Sequence, residues 1–361
     1  MKAAVLRGIN VPMEIEDVAI SKPQGREVLV RVKAVGLCHS DLHVIDGSWP
    51  NPLPTVLGHE VAGVVEQVGP EAHTVKPGDH VVVCLTFHCG HCEQCHSGHS
   101  HRCQTPEAQR MAEEEPRLVR GSERLDQYMK IGGFAEQVLV HESGVVSVRR
   151  DVGFDKLCLI GCGVTTGFGA AVNTCGVRPG ETVAVIGLGG VGLAAINGAA
   201  VAGAGRIIAI DRVASKLEMA KIFGATDGID ASSANVAAVA KELTQGQGVH
   251  HAIEAVGSKA TIELAYRLLG KGGRATVIGM TPPDLKIEIN AISLLREQGI
   301  QGSLMGGVRN SIDIPRYADL YMAGKLKLDQ LVSRVRPLSE INQGFEDMKK
   351  AELARTVITF D

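Results

Sequence analysis

The longest uncharged stretch of the chain runs for 24 residues, from Thr182 to Gly205. By length alone such a stretch could cross a bilayer. Its pattern instead predicts two buried elements, an apolar strand over 182–186 and an alanine-rich helix, separated by a glycine-rich turn. A second apolar strand from Arg206 to Ile210 then ends at Asp211. We therefore expect a buried strand–turn–helix–strand unit here and no membrane span.

The turn between the first strand and the helix reads G-x-G-x-x-G, with Gly187, Gly189 and Gly192 at the motif positions and Gly190 between them. The motif alone is weak, but in this context, with an acid 19 residues past Gly192, it predicts a dinucleotide-binding turn. The first glycine makes the turn, the second lets the backbone approach the pyrophosphate, and the third lets the helix pack on the strand.

The acid that ends the second strand indicates which dinucleotide binds. A carboxylate at Asp211 can bind the adenosine ribose hydroxyls and would repel a 2′-phosphate, which favours NAD over NADP. Arg212 beside it could accept some phosphate, or it is simply an exposed residue after a strand. Further βα units follow through "LEMAKIFGA", "HHAIEAVG" and "ATVIGM", as a doubly wound parallel sheet requires.

Length and composition limit the remaining possibilities. A chain of 361 residues that is 45% hydrophobic is about right for two domains. The net charge of -3 lacks the basic excess that nucleic acid or anionic membranes select, so we expect neither as a partner. The opening "MKAAVLRGIN" is not followed by a long apolar segment and cleavage site, and we expect a cytoplasmic protein.

Four of the nine cysteines form a dense cluster. Cys89, Cys92, Cys95 and Cys103 have C-x2-C-x2-C-x7-C spacing, which predicts a zinc ion held by four thiolates. Such an ion has no open position for substrate and is structural. An iron–sulfur cluster fits less well because the final gap is wrong and the following proline is missing. The five histidines interspersed could replace one thiolate, but we expect most of them to be solvated loop residues.

Three other places offer ligands for a catalytic metal, which needs three protein ligands and an open position. These are Cys38 in "GLCHSDLH", His59 followed by Glu60 in "LGHEVAGVVEQVG", and Cys162 in "LIGCGVTTGFGAAVNT". Each is weak when taken singly, since a lone cysteine beside an apolar run is more often a core residue.

Taken together with "VKPGDHVVV", "VAVIGLGGVGL" and "ARTVITF", these motifs make the sequence similar to the zinc-dependent alcohol dehydrogenases of the medium-chain dehydrogenase/reductase family, along essentially the whole chain. The resemblance implies an α/β Rossmann domain, with its doubly wound parallel sheet, plus a mostly β, GroES-like catalytic domain. It places the catalytic domain at residues 1–163, with the zinc lobe at about 84–105, the NAD-binding domain at 164–298, and a return to the catalytic domain at 299–361.

The resemblance also implies two zinc ions per chain and a proton relay. Cys38, His59 and Cys162 would hold the catalytic zinc, with Glu60 close behind it. Ser40 would pass the alcohol proton through the cofactor ribose to His43, although His43 alone would be read as a surface residue.

Other residues match cofactor and substrate positions of the family. Lys216 would assist Asp211 at the ribose, and His39 and Arg355 would face the pyrophosphate. Thr166 would pack on the nicotinamide face, although a helix N-terminal hydroxyl explains it equally well. The nicotinamide would also border Ile278, Gly279 and Met280, and the apolar pocket would comprise Trp49, Leu85 and Met280.

The expected activity is reversible, NAD-linked oxidation of apolar primary alcohols to aldehydes, by hydride transfer from a zinc-bound alkoxide. One alternative is a thiol-adduct formaldehyde dehydrogenase, which loses ground because Glu107 would repel the glutathione carboxylate. Another is a non-enzymatic zinc-binding interaction protein. The sequence is also compatible with a mode in which the cofactor never leaves the protein and an outside electron carrier regenerates it. We expect a homodimer, with a tetramer as the alternative, and read the charged segment from Glu107 to Lys130 as a solvated loop.

Overall fold

A computed structural model describes residues 1–104, 108–111, 113–350 and 354–361. The chain divides into two compact units. The first comprises Met1–Cys162, Arg309–Gly324 and Leu328–Asp361, and the second comprises Gly163–Val308 and Lys325–Lys327. Glu107, on which the argument against a glutathione adduct rests, lies outside the described residues.

The secondary structure is dominated by strands in the first unit and by alternating strands and helices in the second. The strands are β1 (Lys2–Leu6), β2 (Glu14–Asp17), β3 (Ala19–Ile20), β4 (Glu27–Gly36), β5 (Thr55–Val56), β6 (Glu60–Val68), β7 (His80–Val83), β8 (Leu118–Arg120), β9 (Glu123–Arg124), β10 (Asp126–Gln127), β11 (Gln137–His141), β12 (Val145–Ser147), β13 (Thr182–Ile186), β14 (Arg206–Asp211), β15 (Asp227–Asp230), β16 (Val249–Glu254), β17 (Leu269–Val277), β18 (Gly299–Gly302), β19 (Val332–Pro337) and β20 (Arg355–Thr359). The helices are α1 (His39–Ile45), α2 (Glu93–His96), α3 (Phe154–Leu159), α4 (Thr165–Gly169), α5 (Gly190–Val201), α6 (Ala214–Phe223), α7 (Val236–Leu243), α8 (Lys259–Arg267), α9 (Asn310–Met322) and α10 (Ile341–Lys349).

The main sheet of the first unit runs in the order β12-β7-β6-β4-β20-β19, with β11 also pairing β4. The long strand β4 pairs antiparallel with β6, and its last residue, Gly36, lies opposite Glu60. A second sheet runs in the order β10-β5-β1-β2. Their inward valines and leucines, with Phe134 and Phe345, form the apolar core of this unit. The ends of β4 and β6 thereby lie side by side, next to the metal-ligand candidates.

The sheet of the second unit is parallel and runs in the order β15-β14-β13-β16-β17-β18. Strands β13 and β14 are buried almost throughout, which is why their sequences are continuous apolar runs rather than alternating patterns. The order reverses direction between β13 and β16, and ligands of such sheets bind beyond the carboxyl ends of the strands at that point. The predicted doubly wound α/β sheet is confirmed.

One boundary differs from the expectation. We expected the chain to return to the catalytic domain at residue 299, but residues 299–308 stay with the second unit. The reason is that β18 pairs in parallel with β17 and so extends the same sheet. The first unit resumes at Arg309.

The segment expected to be a solvated loop is instead folded onto the first unit where the structure describes it. It contributes β8, β9 and β10, with Leu118 and Leu125 buried. Arg110 and Arg117 both pair with Glu27, at 2.5 and 2.7 Å, and all three side chains are 7% exposed. The number of charged residues in a sequence segment does not show whether they are exposed to solvent or form buried ion pairs such as this one.

Among the described residues, one helical stretch, Phe154–Thr174, is long and apolar enough to cross a membrane. The structure buries 83% of its apolar window within the protein, as is typical of a core helix. The uncharged stretch that opened the sequence analysis forms β13 and α5.

Candidate metal centres and dinucleotide site

Cys38 lies at the N-terminus of α1, where its position is fixed by a capping box. The Cys38 amide donates to Asp41 Oδ2 at 3.2 Å, and the Cys38 side chain accepts from the Asp41 amide in return. Such reciprocal bonds satisfy amides that the first turn of a helix leaves without partners. The Cys38 thiol therefore leaves the backbone at a fixed angle, 6% exposed.

His59 is placed by the glycine before it. Gly58 has a φ of +91°, and a Cβ there would lie 2.7 Å from the Phe134 amide nitrogen, so another residue would displace the turn. The fully buried imidazole has its Nδ1 3.2 Å from Asp41 Oδ1, which also accepts from the Gly58 amide at 3.0 Å. Because Asp41 accepts a hydrogen bond from Nδ1, Nε2 is the ring nitrogen left for a metal, which binds it in place of a proton.

The structure brings Cys38, His59, Glu60 and Cys162 together, with one ligand atom from each within 4.8 Å of the others. His59 Nε2 is buried, and no residue in the described part of the chain hydrogen-bonds to it. A buried ring nitrogen that makes no hydrogen bond is costly unless something binds it. Two sulfurs and one imidazole nitrogen are a donor set that zinc prefers, so these residues fit a zinc ion.

The protonation of this cluster follows from its hydrogen bonds. The Cys162 thiol hydrogen-bonds to the Cys38 sulfur, which lowers the pKa of Cys38 well below its usual range and raises that of Cys162. Burial lowers the pKa of His59, but the Asp41 carboxylate outweighs it and the pKa is raised. A metal that binds here must therefore displace protons.

Glu60 and Arg355 form a buried pair beside the cluster. Arg355 Nη2 lies 3.4 Å from Glu60 Oε1, and Arg355 Nη1 donates to the Leu37 carbonyl at 2.9 Å. Burial raises the pKa of Glu60 to about 7 against the opposing effect of Arg355. The Arg355 side chain is 5% exposed and contacts these groups, and that it faces a pyrophosphate remains a prediction. Its place beside the metal ligands follows from the pairing of β20 with β4.

The two relay candidates lie on α1, three residues apart. Ser40 Oγ is 3.6 Å from Cys38 Sγ, so the hydroxyl is next to the ligand cluster. His43 is half-buried, and its Nδ1 lies 3.0 Å from Ser48 Oγ rather than bonding to Ser40. Tyr128 supports the same region, since its hydroxyl donates to the Ser40 carbonyl at 3.1 Å and its ring packs edge-on against His59.

The four-cysteine lobe has the geometry of a tetrahedral site. The sulfur–sulfur distances are 3.5 Å for Cys92–Cys95, 3.7 Å for Cys89–Cys103, 3.8 Å for Cys92–Cys103 and 4.0 Å for Cys89–Cys95. A tetrahedron of sulfurs around zinc has edges of about 3.8 Å. Amides of Cys89 and Cys92 also donate to sulfurs of the cluster. The cysteines are free thiols, and they fit a structural zinc ion.

The histidines of the lobe and the apolar pocket candidates have mixed environments. Most of the lobe histidines are exposed, as expected, whereas His101 is 8% exposed in a short turn with its ring beside that of His99. Trp49 and Leu85 are half-buried and pack on the core of the first unit. Met280 belongs to the second unit, where it follows β17.

The glycine turn of the second unit has the geometry that its motif predicts. Gly187 has a φ of +88°, and a Cβ on Gly192 would lie 1.8 Å from the Gly187 carbonyl oxygen. A Cβ on Gly189 would have no protein atom of the described chain within 4 Å, so this position faces open space at the N-terminus of α5. Gly190 is the first residue of that helix. A turn of this shape fits a pyrophosphate.

The acid after the second strand is tied to this turn. Asp211 Oδ2 accepts from the Leu188 amide at 2.8 Å, and Oδ1 accepts from the amides of Arg212 and Val213 at 2.7 and 3.0 Å. The structure thus places the predicted ribose ligand directly beside the predicted phosphate turn.

The other predicted cofactor residues are dispersed over both units. Thr166 is buried and donates to Met305 Sδ at 3.4 Å. Lys216 is half-exposed on α6, Arg212 is exposed, and His39 is exposed on α1 of the first unit. Ile278 and Gly279 continue from β17, and their amides donate to the Glu254 carbonyl.

The sequence analysis missed three residues that hold the candidate sites in place. Asp41 orients His59, Tyr128 anchors the Ser40 backbone, and Glu254 binds the segments that follow β16 and β17. Only Asp41 had a local signal, since it follows Cys38 by three residues, as a capping box requires.

The comparisons with known proteins agree with this geometry. The family described as Alcohol dehydrogenase GroES-like domain matches residues 24–150, and the family described as Zinc-binding dehydrogenase matches residues 190–322. An NDMA-dependent alcohol dehydrogenase from Amycolatopsis methanolica is 39% identical over 364 residues, covering 99% of this chain and 98% of that protein.

Two solved structures are similar over the whole chain. One is an alcohol dehydrogenase zinc-binding domain protein from Burkholderia ambifaria, with a TM-score of 0.94, 36% identity and coverage of 100% of this chain and 98% of that chain. The other is a benzyl alcohol dehydrogenase from Acinetobacter calcoaceticus, with a TM-score of 0.94, 35% identity and coverage of 100% and 99%. The chain belongs to the zinc-dependent alcohol dehydrogenases of the medium-chain dehydrogenase/reductase family.

Proposed function

We propose that this alcohol dehydrogenase oxidises apolar primary alcohols, such as aromatic, terpenoid or longer-chain ones, in a reversible NAD-linked reaction, with two zinc ions per chain. The observation that carries the proposal is the buried His59 Nε2, which has no hydrogen-bond partner among the described residues and lies beside the thiols of Cys38 and Cys162. The similar benzyl alcohol dehydrogenase supports an aromatic substrate.

Bound zinc supplies a Lewis acid that eases loss of the alcohol proton, and the nicotinamide supplies the hydride acceptor. Cys38, His59 and Cys162 would hold the metal as its three protein ligands. Asp41 keeps the His59 ring in the tautomer that presents Nε2. Ser40, 3.6 Å from Cys38 Sγ, would accept the alcohol proton, and His43 would release it to solvent, with the cofactor ribose bridging the two residues.

The test is a steady-state assay of the purified protein. NADH formation is followed across short aliphatic, benzylic and terpenoid alcohols, with NAD and NADP compared and zinc measured per chain. We expect benzylic or long-chain alcohols to give the highest kcat/KM with NAD, and two zinc ions per chain. Turnover only on a glutathione–formaldehyde adduct, or silence on every alcohol with both NAD and an external acceptor, would contradict the proposal.

A second mode of turnover is favoured by the similarity to the NDMA-dependent enzyme. In that mode the dinucleotide stays bound and an external acceptor regenerates it. The same purified protein is assayed with alcohol and NDMA but without added NAD. Turnover under these conditions, together with a dinucleotide released only by denaturation, supports the bound mode. A strict requirement for added NAD supports the exchanging mode.

A non-enzymatic role as a zinc-binding interaction protein would leave the assays silent with either acceptor. The family argues against that role, since it is defined by dehydrogenases. The variant Cys162→Ser tests whether the catalytic metal is needed, because it removes one ligand of the Cys38–His59–Cys162 site and leaves the four-cysteine lobe intact. We expect it to lose catalysis and one zinc ion per chain.

A further inference from the structure

Glu254, the last residue of β16, is fully buried and holds two chain segments at once. Its Oε1 accepts three hydrogen bonds at 2.8 Å, from the amides of Val256 and Gly257 and from Thr261 Oγ1. Its main-chain carbonyl accepts from the amides of Ile278 and Gly279 at 2.8 and 3.0 Å. The side chain thus fixes the segment 255–257, and the backbone fixes the segment 278–280.

These two segments cross with no space between their backbones. Gly257 has a φ of +87°, and a Cβ there would lie 2.1 Å from the Met280 carbonyl oxygen. A Cβ on Gly279 would lie 2.2 Å from the Gly257 nitrogen. Because both positions exclude a side chain, a displacement of one segment must displace the other.

The crossing lies at the edge of the sheet where a dinucleotide binds. Strand order reverses between β13 and β16, and both segments follow the carboxyl ends of β16 and β17. The first segment touches the glycine turn, since a Cβ on Gly187 would lie 2.5 Å from Val256 Cγ2. Asp211, on the other side of the reversal, marks the adenosine half. The crossing therefore borders the nicotinamide half.

The carboxyl group is an unusual choice for this position. Its second oxygen, Oε2, is buried and has no hydrogen-bond partner among the described residues, and burial raises the pKa of the group. An unsatisfied buried oxygen destabilises the fold. The compensating advantage is that a single oxygen, Oε1, accepts hydrogen bonds from two consecutive amides and a hydroxyl group.

We propose that Glu254 is a positioning residue for the nicotinamide half of the dinucleotide, acting through the crossing of segments 255–257 and 278–280. The inference rests on the proposed function in one respect, namely that a nicotinamide dinucleotide binds. Glu254 does not touch the dinucleotide. It fixes the position of the backbone segments that contact the dinucleotide.

The experiment measures binding rather than activity. Dissociation constants for NAD and for ADP, which lacks the nicotinamide half, are measured by calorimetry on the full-length protein after removal of any copurified dinucleotide. The variants are Glu254→Ala, which removes the acceptor, and Glu254→Gln, which keeps one acceptor oxygen. Glu181→Gln is the matched control, since its carboxylate lies at the opposite end of the same sheet and bonds to His251.

We expect Glu254→Ala to weaken NAD binding roughly ten- to a hundredfold, because the displaced backbone would lose one or two hydrogen bonds to the nicotinamide half. We expect ADP binding to change by less than about threefold. Glu254→Gln and Glu181→Gln should bind both ligands within about threefold of the wild type.

Three outcomes would overturn the assignment. Equal weakening of NAD and ADP would show a merely structural role, and a Gln variant as weak as the Ala variant would show that charge matters rather than placement. Unchanged NAD binding by Glu254→Ala would show no role at all. Should that variant not fold, Gly257→Ala displaces the Met280 segment while leaving Glu254 intact, and it must weaken NAD selectively. A wild type that binds ADP but not NAD would instead refute the proposed cofactor.

Discussion

The glycines of the dinucleotide turn act through different neighbours, and this separates their roles. A methyl group at Gly192 would collide with the Gly187 carbonyl, whereas one at Gly189 would project into open space from a backbone with a φ of −72° that alanine tolerates. We therefore expect Gly189→Ala to change the free energy of unfolding by less than about 0.5 kcal/mol. It should nevertheless weaken NAD binding roughly tenfold or more, because the methyl group takes the space of the pyrophosphate.

Calorimetric binding and thermal unfolding check this prediction. Gly228→Ala is the matched control, since a Cβ there would make only ordinary contacts at 3.7 Å with Leu217 and the glycine lies on β15, away from the turn. Gly192→Ala should lower the thermal midpoint. A Gly189→Ala protein that binds NAD normally would show that the pyrophosphate does not lie on this turn.

A second prediction for a single residue concerns Asp41. Its carboxylate accepts from the Cys38 amide, the Gly58 amide and His59 Nδ1, so an amide in its place must turn an NH₂ group towards one of these donors. We expect Asp41→Asn to lower the affinity of the catalytic site for zinc roughly ten- to a hundredfold, as is usual for groups that orient a metal-bound histidine. Competition with a chelator measures it.

The control for Asp41 is Asp46→Asn at the other end of α1, where the carboxylate accepts only from the Ser48 amide among the described hydrogen bonds. This variant should bind zinc as the wild type does. Equal zinc affinity in all three proteins would mean that the metal alone orients His59.

Individual residues were predictable from the sequence where their signal is local. The four clustered cysteines and the turn glycines have fixed spacings, because each set acts within one loop. The sequence could group Cys38, His59 and Cys162 into one metal site only through the family resemblance, since the first and the last lie 124 positions apart. The place of Arg355 could not be predicted, because its partner Glu60 is reached only when β20 pairs with β4.

Among the elements, the short turn between β11 and β12 ties three loops of the first unit together. Glu142 in this turn is 1% exposed and accepts from Arg26 Nε at 2.6 Å and from the amides of His73 and Thr74. Burial alone would raise the pKa of Glu142, but these hydrogen bonds outweigh it and hold the pKa at about 2, below its ordinary value of 4.5.

A folded-state pKa below the unfolded one means that the stabilisation is present above about pH 4.5 and is lost as the pH falls towards 2. We expect Glu142→Gln to be less stable than the wild type at pH 7, with the difference shrinking between pH 4.5 and pH 2. Urea midpoints over this pH range measure it. Glu71→Gln, an exposed glutamate of a neighbouring loop, should show little difference at any pH.

The zinc lobe is an element whose stability we expect to depend on its metal. Its order would depend on the metal bound by the four sulfurs, since α2 has four residues and buries none of them. Cys95→Ser should contain one zinc ion per chain instead of the proposed two and unfold at lower temperature. Cys175→Ser, outside both clusters, should keep both ions. A Cys95→Ser protein with unchanged zinc content would contradict the proposed stoichiometry.

Elements were predicted best where the apolar pattern is continuous. The buried strands β13 and β14 and the helix between them follow directly from their sequence. The strand β18 was missed because "GIQG" has glycines at both ends and little apolar character, and only pairing with β17 makes it a strand. The charged segment that forms β8 and β9 was missed because its arginines are buried by pairing with a distant glutamate.

At the scale of the whole molecule, the sheet of the second unit ends in β18. An edge strand leaves backbone groups unpaired and invites a second chain. Ile292, Leu294 and Leu295, just before this strand, are 57%, 51% and 81% exposed. We propose that a second copy covers this edge and forms a homodimer, with a tetramer as the alternative.

Sedimentation velocity measures the assembly. We expect a dimer for the wild type and a shift towards monomer for Leu295→Asp, because a buried charge without a partner opposes association. Val335→Asp, at a similarly exposed valine on β19, should sediment as the wild type does. A monomeric wild type would contradict the proposal.

The path of the chain through the first unit also sets the order in which the protein can be completed during synthesis. The strand β20 lies between β4 and β19 in the main sheet, yet it is formed by residues 355–359. A ribosome delivers residues 163–308 of the second unit long before this strand emerges, so that unit can fold first. The first unit must meanwhile wait with a gap beside β4. Its metal-ligand cluster gains the buried guanidinium of Arg355 only when β20 has been made.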